Sequence, residues 1–235
     1  MRIAVYGAGG VGGYFGGRLA QAGAQVHFIA RGAHLRALRE HGLRVRSVKG
    51  DFEVQARATD DPADVGPCDF VLFCVKTFDT EAAAARLGPL VGEGTAVVSL
   101  QNGVENEEKL ARAIGADHVM GGAAFTFAEI AGPGLIRHTG GPPSITFGEL
   151  DGRTSERAQR LLGCCQPSGP DGAVTTRRRS AQTQPQPRGP ALRPVPRSGA
   201  RQRRPGWPAR PAGFAMRRPD TSERSSSVSD SLSEL

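Results

Sequence analysis

The chain has 235 residues, 32 of them glycine, and a formal charge of +7, which is room for one ordinary domain and a small second one. Divided after Gly163, it carries 17 Lys+Arg against 18 Asp+Glu before the cut, net −1, and 13 against 5 after it, net +8, together +7. All the basicity sits in the tail, so residues 1–163 lack the positive field that nucleic acid or an anionic membrane would select.

Arg2–Tyr6 is short, apolar and β-rich, and Gly10–Ala22 spaces Val11, Phe15, Leu19 and Ala22 at helical intervals before Gly23, a C-cap residue. Gln25–Ala30 reads as a second strand. Ala33–His41 reads as a short helix with Leu35 and Leu38 on one face and Gly42 ending it. Leu43–Arg57 alternates apolar and charged residues about Lys49-Gly50-Asp51, the pattern of an antiparallel hairpin inserted at a sheet edge.

Asp69–Val75, "DFVLFCV", is a continuous apolar run of strand length, as a parallel strand covered on both faces requires. Phe70–Val75 is also the longest purely apolar run, far short of a bilayer span. The chain opens on a strand and a turn rather than a signal peptide, so a cytoplasmic protein without membrane contact is expected. Thr80–Leu90 reads as an alanine-rich helix, Ala96–Leu100 as a buried strand and Val104–Ile114 as a helix. "GLIRHTG" and "PSITFGEL" are strands closing the domain, and Thr154–Leu162 starts a helix with Thr154 as N-cap. This alternation predicts an α/β fold, a doubly wound Rossmann-type sheet. Cys68, Cys74, Cys164 and Cys165 have neither metal-ligand nor secretory spacing and read as free thiols.

Gly7-Ala8-Gly9-Gly10-Val11-Gly12 fits G-x-G-x-x-G between a strand and a helix. There Gly7 allows the tight turn, Gly9 the close approach of a pyrophosphate and Gly12 the packing of helix on strand. The phosphates would lie over the helix N-terminus, where unpaired N–H groups favour anions. After the second strand stands Arg31, and no Asp or Glu precedes Glu40. An arginine there accommodates a 2′-phosphate, which favours NADP over NAD, although Arg31 also reads as a solvated loop arginine. Lys76 and Asn102 each follow a buried strand and so face the crevice at the carboxyl ends of the sheet. Their plainer readings are a loop lysine and an Asn-Gly turn residue. His118 and His138 read as surface or turn residues.

Taken together, "IAVYGAGGVGGYFGGRLAQAG", "ARGAHLRALREHGLRV", "CVKTFDT", "SLQNGVENEEKL", "GPGLIRHTGG" and "ITFGELDG" closely resemble the N-terminal half of the ketopantoate reductase (2-dehydropantoate 2-reductase) family over residues 1–163. The resemblance implies NADPH-dependent reduction of a small 2-keto acid to pantoate, on the route to pantothenate and coenzyme A. It assigns the glycine turn to the pyrophosphate, Arg31 to the 2′-phosphate, Lys76 and Asn102 to the cofactor, and Asn102 to the substrate as well. The family's second domain is all-helical and supplies the general-acid lysine. Here Lys109 is the last lysine, so no catalytic residue is assigned and little turnover is expected.

Residues 164–235 hold 11 of the 17 prolines and 13 arginines without periodicity. They are expected to be a disordered basic tail in place of the helical domain, an out-of-frame translation of a GC-rich gene. Two further readings stand beside the reductase: a non-catalytic NADP-binding half-protein, and an interaction protein whose basic tail binds polyanions.

Overall fold

A computed structural model describes residues 1–166 and 171–174, all within one unit, Met1–Pro187. In chain order the elements are β1 (Arg2–Tyr6), α1 (Gly10–Gln21), β2 (Gln25–Ile29), α2 (Gly32–His41), β3 (Leu43–Ser47), β4 (Phe52–Val54), β5 (Arg57–Thr59) and β6 (Phe70–Phe73). There follow α3 (Thr80–Ala84), β7 (Ala96–Ser99), α4 (Asn106–Ile114), β8 (Val119–Gly132), β9 (Leu135–Glu149), α5 (Glu156–Cys165) and β10 (Asp171–Val174).

One sheet runs β4-β3-β9-β8-β7-β6-β1-β2-β5, with β10 also on β9. From β5 to β8 the pairings are all parallel. In chain order these six strands stand 3-2-1-4-5-6, the Rossmann arrangement, and the order reverses between β1 and β6. Alternate side chains feed two cores. Ile3, Val5, Phe70 and Leu72 join α1 on one face, and Ala4, Tyr6, Val71 and Phe73 join α3 and α4 on the other.

Helix α1 approaches its neighbours too closely for side chains on two flanks. A Cβ on Gly16 would lie 2.6 Å from Val5 Cγ2 and 2.8 Å from Phe28 Cε1, and one on Gly12 2.2 Å from the Gly7 carbonyl oxygen. On the opposite flank a Cβ on Gly13 would lie 2.7 Å from Ile136 Cγ1, and one on Gly17 3.0 Å from Leu43 Cδ2. The sheet therefore curls, with β9, β3 and β4 wrapping over the helix that β1 and β2 already carry.

The hairpin stands at a sheet edge as expected, turning at Gly50 with φ +99°. Its extent differs. Strand β4 ends at Val54, and Arg57–Thr59 crosses to the opposite edge as β5, where the Thr59 carbonyl accepts the Ala30 N–H at 3.0 Å. Helix α3 covers only Thr80–Ala84 of the predicted Thr80–Leu90, because Pro89 lacks an N–H and disfavours helical backbone at Gly88. Leu87 and Leu90 are still fully buried, carried on turns.

Ser155, not Thr154, caps α5 by accepting the Ala158 N–H at 3.2 Å. The helix runs on through Cys164 and Cys165, and Asp171–Val174 pairs with Ser144–Phe147 of β9, so regular structure continues past Gly163. The rest of the expected disordered and frameshifted tail lies outside the described residues. His138 is no surface residue: it is 1% exposed, packs on Tyr14 with the rings tilted by 40° and has Nδ1 2.8 Å from Ser47 Oγ. Burial follows from β3 lying against this stretch of β9, a pairing that no local pattern announces. Pro142 and Pro143 fall where β9 has neither β3 nor β10 beside it and where its register with β8 breaks between Gly140 and Ser144, so no ladder bond is lost there. None of the four cysteines is in a disulfide. Burial pushes Cys165 and Cys74 up to about 12 and Cys68 to about 11, so these three are unreactive thiols at neutral pH.

Two predictions follow from this packing. Gly16→Val should destabilise by about 2 kcal/mol or more, measured by urea denaturation, since a β-branched side chain has no space against Val5 and Phe28. At the α5–β9 contact, Arg157 donates Nε–H to Glu149 Oε1 at 2.7 Å and an Nη2 hydrogen to Oε2 at 2.6 Å. Burial alone would raise the Glu149 carboxyl. The bonds from Arg157 and Ser155 outweigh burial and hold it below the usual range. A depressed carboxyl contributes stability that is complete above the unfolded value, about 4.3, and is lost as pH falls through the folded one. Arg157→Met should therefore cost about 3 kcal/mol at pH 7, with a deficit that narrows toward pH 4 as the stranded carboxylate takes up a proton.

Candidate functional site

The site begins where β1 ends. Gly7 turns at φ +100°, and a Cβ there would lie 3.0 Å from the Cys74 and Val75 backbone. The Gly7 and Ala8 N–H groups both donate to the Ile29 carbonyl, at 3.1 and 3.3 Å, which pins the turn to the end of β2. Gly9 follows as N-cap of α1. A Cβ on it would meet nothing within 4 Å. Gly10 differs, since its Cβ would lie 2.0 Å from the Ala128 carbonyl oxygen of β8, which crosses the first turn of the helix.

Gly7, Ala8 and Gly9 face a cavity of about 280 Å³ that Arg31 also lines. Gly10, Val11 and Gly12 do not line it. Gly12 instead packs on Val5 and the Gly7 carbonyl, the helix-on-strand contact expected of it. Lys76 and Asn102 stand outside the cavity, both exposed, in the loops after β6 and β7. Those loops are joined: Thr77 Oγ1 donates to the Asn102 carbonyl at 2.7 Å.

Beneath them lies a buried polar circuit. Gln101 Nε2 donates to the Val75 carbonyl at 3.0 Å and to Thr80 Oγ1 at 2.8 Å. Thr80 Oγ1 donates to Asn106 Oδ1 at 3.2 Å, and Asn106 Nδ2 donates to the Asn102 carbonyl at 2.9 Å. Thr80, Gln101 and Asn106 are 0%, 5% and 1% exposed, so these bonds, shielded from water, hold both loops at the carboxyl ends of the sheet.

The cavity holds charges that sequence order had separated. Although no acid precedes Glu40, Asp60 and Asp79 line the same cavity as Arg31, and so does Arg86. Arg31 Nη2 lies 3.8 Å from Asp79 Oδ2. Arg31 is therefore not free of neighbouring acid in three dimensions, although none precedes Glu40 in the sequence. Asp79 was within reach of the rule that singled out Lys76, three residues before it on the same loop. Asp60 was not, because it follows β5, a three-residue strand whose first residue, Arg57, reads in the sequence as the end of the hairpin and whose remainder carries no strand signal. On the floor, burial raises the Tyr6 phenol while Arg86 and Arg31 pull it back. His34 Nδ1 accepts the Gly134 N–H at 3.1 Å, and burial lowers its imidazole, leaving it neutral at pH 7. Among the described residues no cluster of His, Cys, Asp and Glu is placed to hold a metal ion, and no helix is long and apolar enough to cross a membrane.

The family model described as ketopantoate reductase PanE/ApbA matches residues 3–152. The chain belongs to the ketopantoate reductase family. It is 32% identical to the 2-dehydropantoate 2-reductase of Mesorhizobium japonicum over 182 residues, 68% of this chain and 56% of that protein. It is 35% identical to the Halobacterium salinarum enzyme of the same name, over 74% of this chain and 58% of that protein. The crystal structure of the Geobacter metallireducens 2-dehydropantoate 2-reductase superposes with a TM-score of 0.71 at 37% identity, covering 75% of this chain and 58% of that one. The chain thus spans about half the length of the ketopantoate reductases it matches.

The circuit under the two loops makes a stability prediction. Thr80→Val keeps the shape and removes the hydroxyl that serves both Gln101 and Asn106. It should cost about 1–3 kcal/mol in urea denaturation, the usual loss for stranding buried polar partners.

Proposed function

We propose that this chain binds NADPH across the carboxyl ends of β1, β2 and β6, as the cofactor half of a reductase acting on 2-dehydropantoate. The observation that carries the proposal is the bare face of Gly9, open to the cavity at the point where strand order reverses, with Arg31 on the cavity wall. A Cβ at Gly9 would fill space that a pyrophosphate needs, and the first N–H groups of α1 have no acceptor within the helix. The cavity suits the adenosine half, with the 2′-phosphate against Arg31. Lys76 and Asn102, on loops held together by Thr77, would border the nicotinamide and the keto acid.

When bound, the cofactor supplies the hydride. The chain must then orient the ketone and deliver a proton to its oxygen. Of its three lysines, Lys49 lies by the β3–β4 turn and Lys109 is paired to Glu81 at 3.1 Å, so Lys76 alone stands beside the crevice. It is exposed and makes no ion pair among the described residues. Lack of a positioned proton donor removes a factor of about 10² to 10⁴. Lack of substrate orientation removes more. The 235 residues by themselves should therefore bind the cofactor with little turnover.

Titration of the full chain should change NADPH fluorescence, and Gly9→Asp should abolish the change. Ketopantoate-dependent NADPH oxidation should not exceed that of the Gly9→Asp control; robust turnover would make Lys76 the leading proton donor. Arg31→Ala should weaken NADPH about tenfold or more and NADH much less, because a charge-assisted bond is lost only with the former. Equal losses would remove Arg31 from the 2′ position.

A further inference from the structure

We infer that Asp79 is a specificity-determining residue of the cavity, limiting its preference for a 2′-phosphorylated dinucleotide and leaving NADH a competent ligand; this rests on the dinucleotide reading above. Among the charged residues lining the cavity, Arg31 and Arg86 are matched by Asp60 and Asp79, so its wall carries no net charge. A pocket committed to a 2′-phosphate needs an excess of cations, because that group carries a charge near −2.

The pairings single out one acid. The Asp60 carboxylate meets Arg39 at 3.7 Å. Arg86 meets Asp61 at 3.8 Å and donates to the Asp60 carbonyl at 3.2 Å. Arg31 is left facing Asp79, with side chains 73% and 41% exposed. Such an exposed pair is weak and can open for either ligand. A ribose 2′-OH can donate to the Asp79 carboxylate while Arg31 stays beside it, so the pair survives. A 2′-phosphate takes Arg31 for itself and stands next to an acid that repels it. Arginine and carboxylate, the two residue types that otherwise separate NADP-binding from NAD-binding sites, here meet at 3.8 Å on the wall of one cavity, from the segments that follow β2 and β6.

Asp79 is suited to a clean test because it makes no side-chain capping bond to α3. Asp79→Asn removes the charge and keeps the shape. Dissociation constants of the full chain would be measured for NADPH and NADH, and for 2′,5′-ADP and 5′-AMP, which isolate the 2′-phosphate. Asp79→Asn should tighten NADPH and 2′,5′-ADP by about threefold to tenfold, with NADH and 5′-AMP unchanged or weaker. The gain should shrink in 0.5 M salt, as expected of screening between exposed charges. Equal tightening of all four ligands, or no gain for the 2′-phosphorylated pair, overturns the role of Asp79 while leaving dinucleotide binding intact. Failure of the unaltered chain to bind any of the four overturns the dinucleotide reading, and the selector with it.

Discussion

Everything in the site hangs on how closely α1 lies against its surroundings. Four glycines, Gly12, Gly13, Gly16 and Gly17, occupy the flanks where β1 and β2 press from one side and β9, β3 and β4 from the other. Each glycine in a helix interior costs about 1 kcal/mol relative to alanine. The helix therefore persists through burial and not through propensity. That clasp fixes its axis and sets its N-terminus over the end of β1. Gly10, pressed beneath Ala128, then locks the β8–β9 hairpin across the same turn. Bare backbone is thus used in three ways within six residues: for a turn at Gly7, for open space at Gly9 and for contact at Gly10 and Gly12.

The second organising element is polar. Val75 and Leu100 tie the starts of the loops after β6 and β7 to the core, but Phe78 and Val104 farther along are 86% and 63% exposed, so apolar burial does not anchor the outer parts of those loops. The Gln101–Thr80–Asn106–Asn102 circuit does, in a consistent donor-to-acceptor order that ends on the Asn102 carbonyl. Side chains that face the crevice are exposed, and those that hold them are buried. This division lets the exposed side chains reorient while their backbone stays in place.

Electrostatically the cavity is balanced, not basic. Residues 1–163 are nearly neutral overall, and the same near-neutrality recurs among the charged residues of the cavity wall. Membership of the ketopantoate reductase family, shown over residues 3–152, does not by itself settle which nicotinamide dinucleotide such a wall prefers. On the proposed dinucleotide reading, Arg31 would favour the phosphorylated form and Asp79, 3.8 Å from it, would oppose it. That proposal places the choice in two exposed side chains rather than in the fold.

The sequence by itself determined the fold class, the glycine turn and the family, because each is written in residues close together along the chain: apolar runs of strand length, helical spacing and a G-x-G-x-x-G at a strand end. The places of Lys76 and Asn102 just past β6 and β7 were legible for the same reason, although neither lines the cavity. Only the tertiary structure decided that Asp60, Asp79 and Arg86 share a cavity with Arg31, that His138 is buried against Tyr14, and that Arg57 belongs not to the hairpin but to a strand, Arg57–Thr59, at the far edge of the sheet. Local pattern can state that a segment is a strand. Which strand it pairs with, and so which charges meet, is set by long-range burial: the hairpin goes where α1 has a flank to cover, and β5 goes where β2 has an edge to pair.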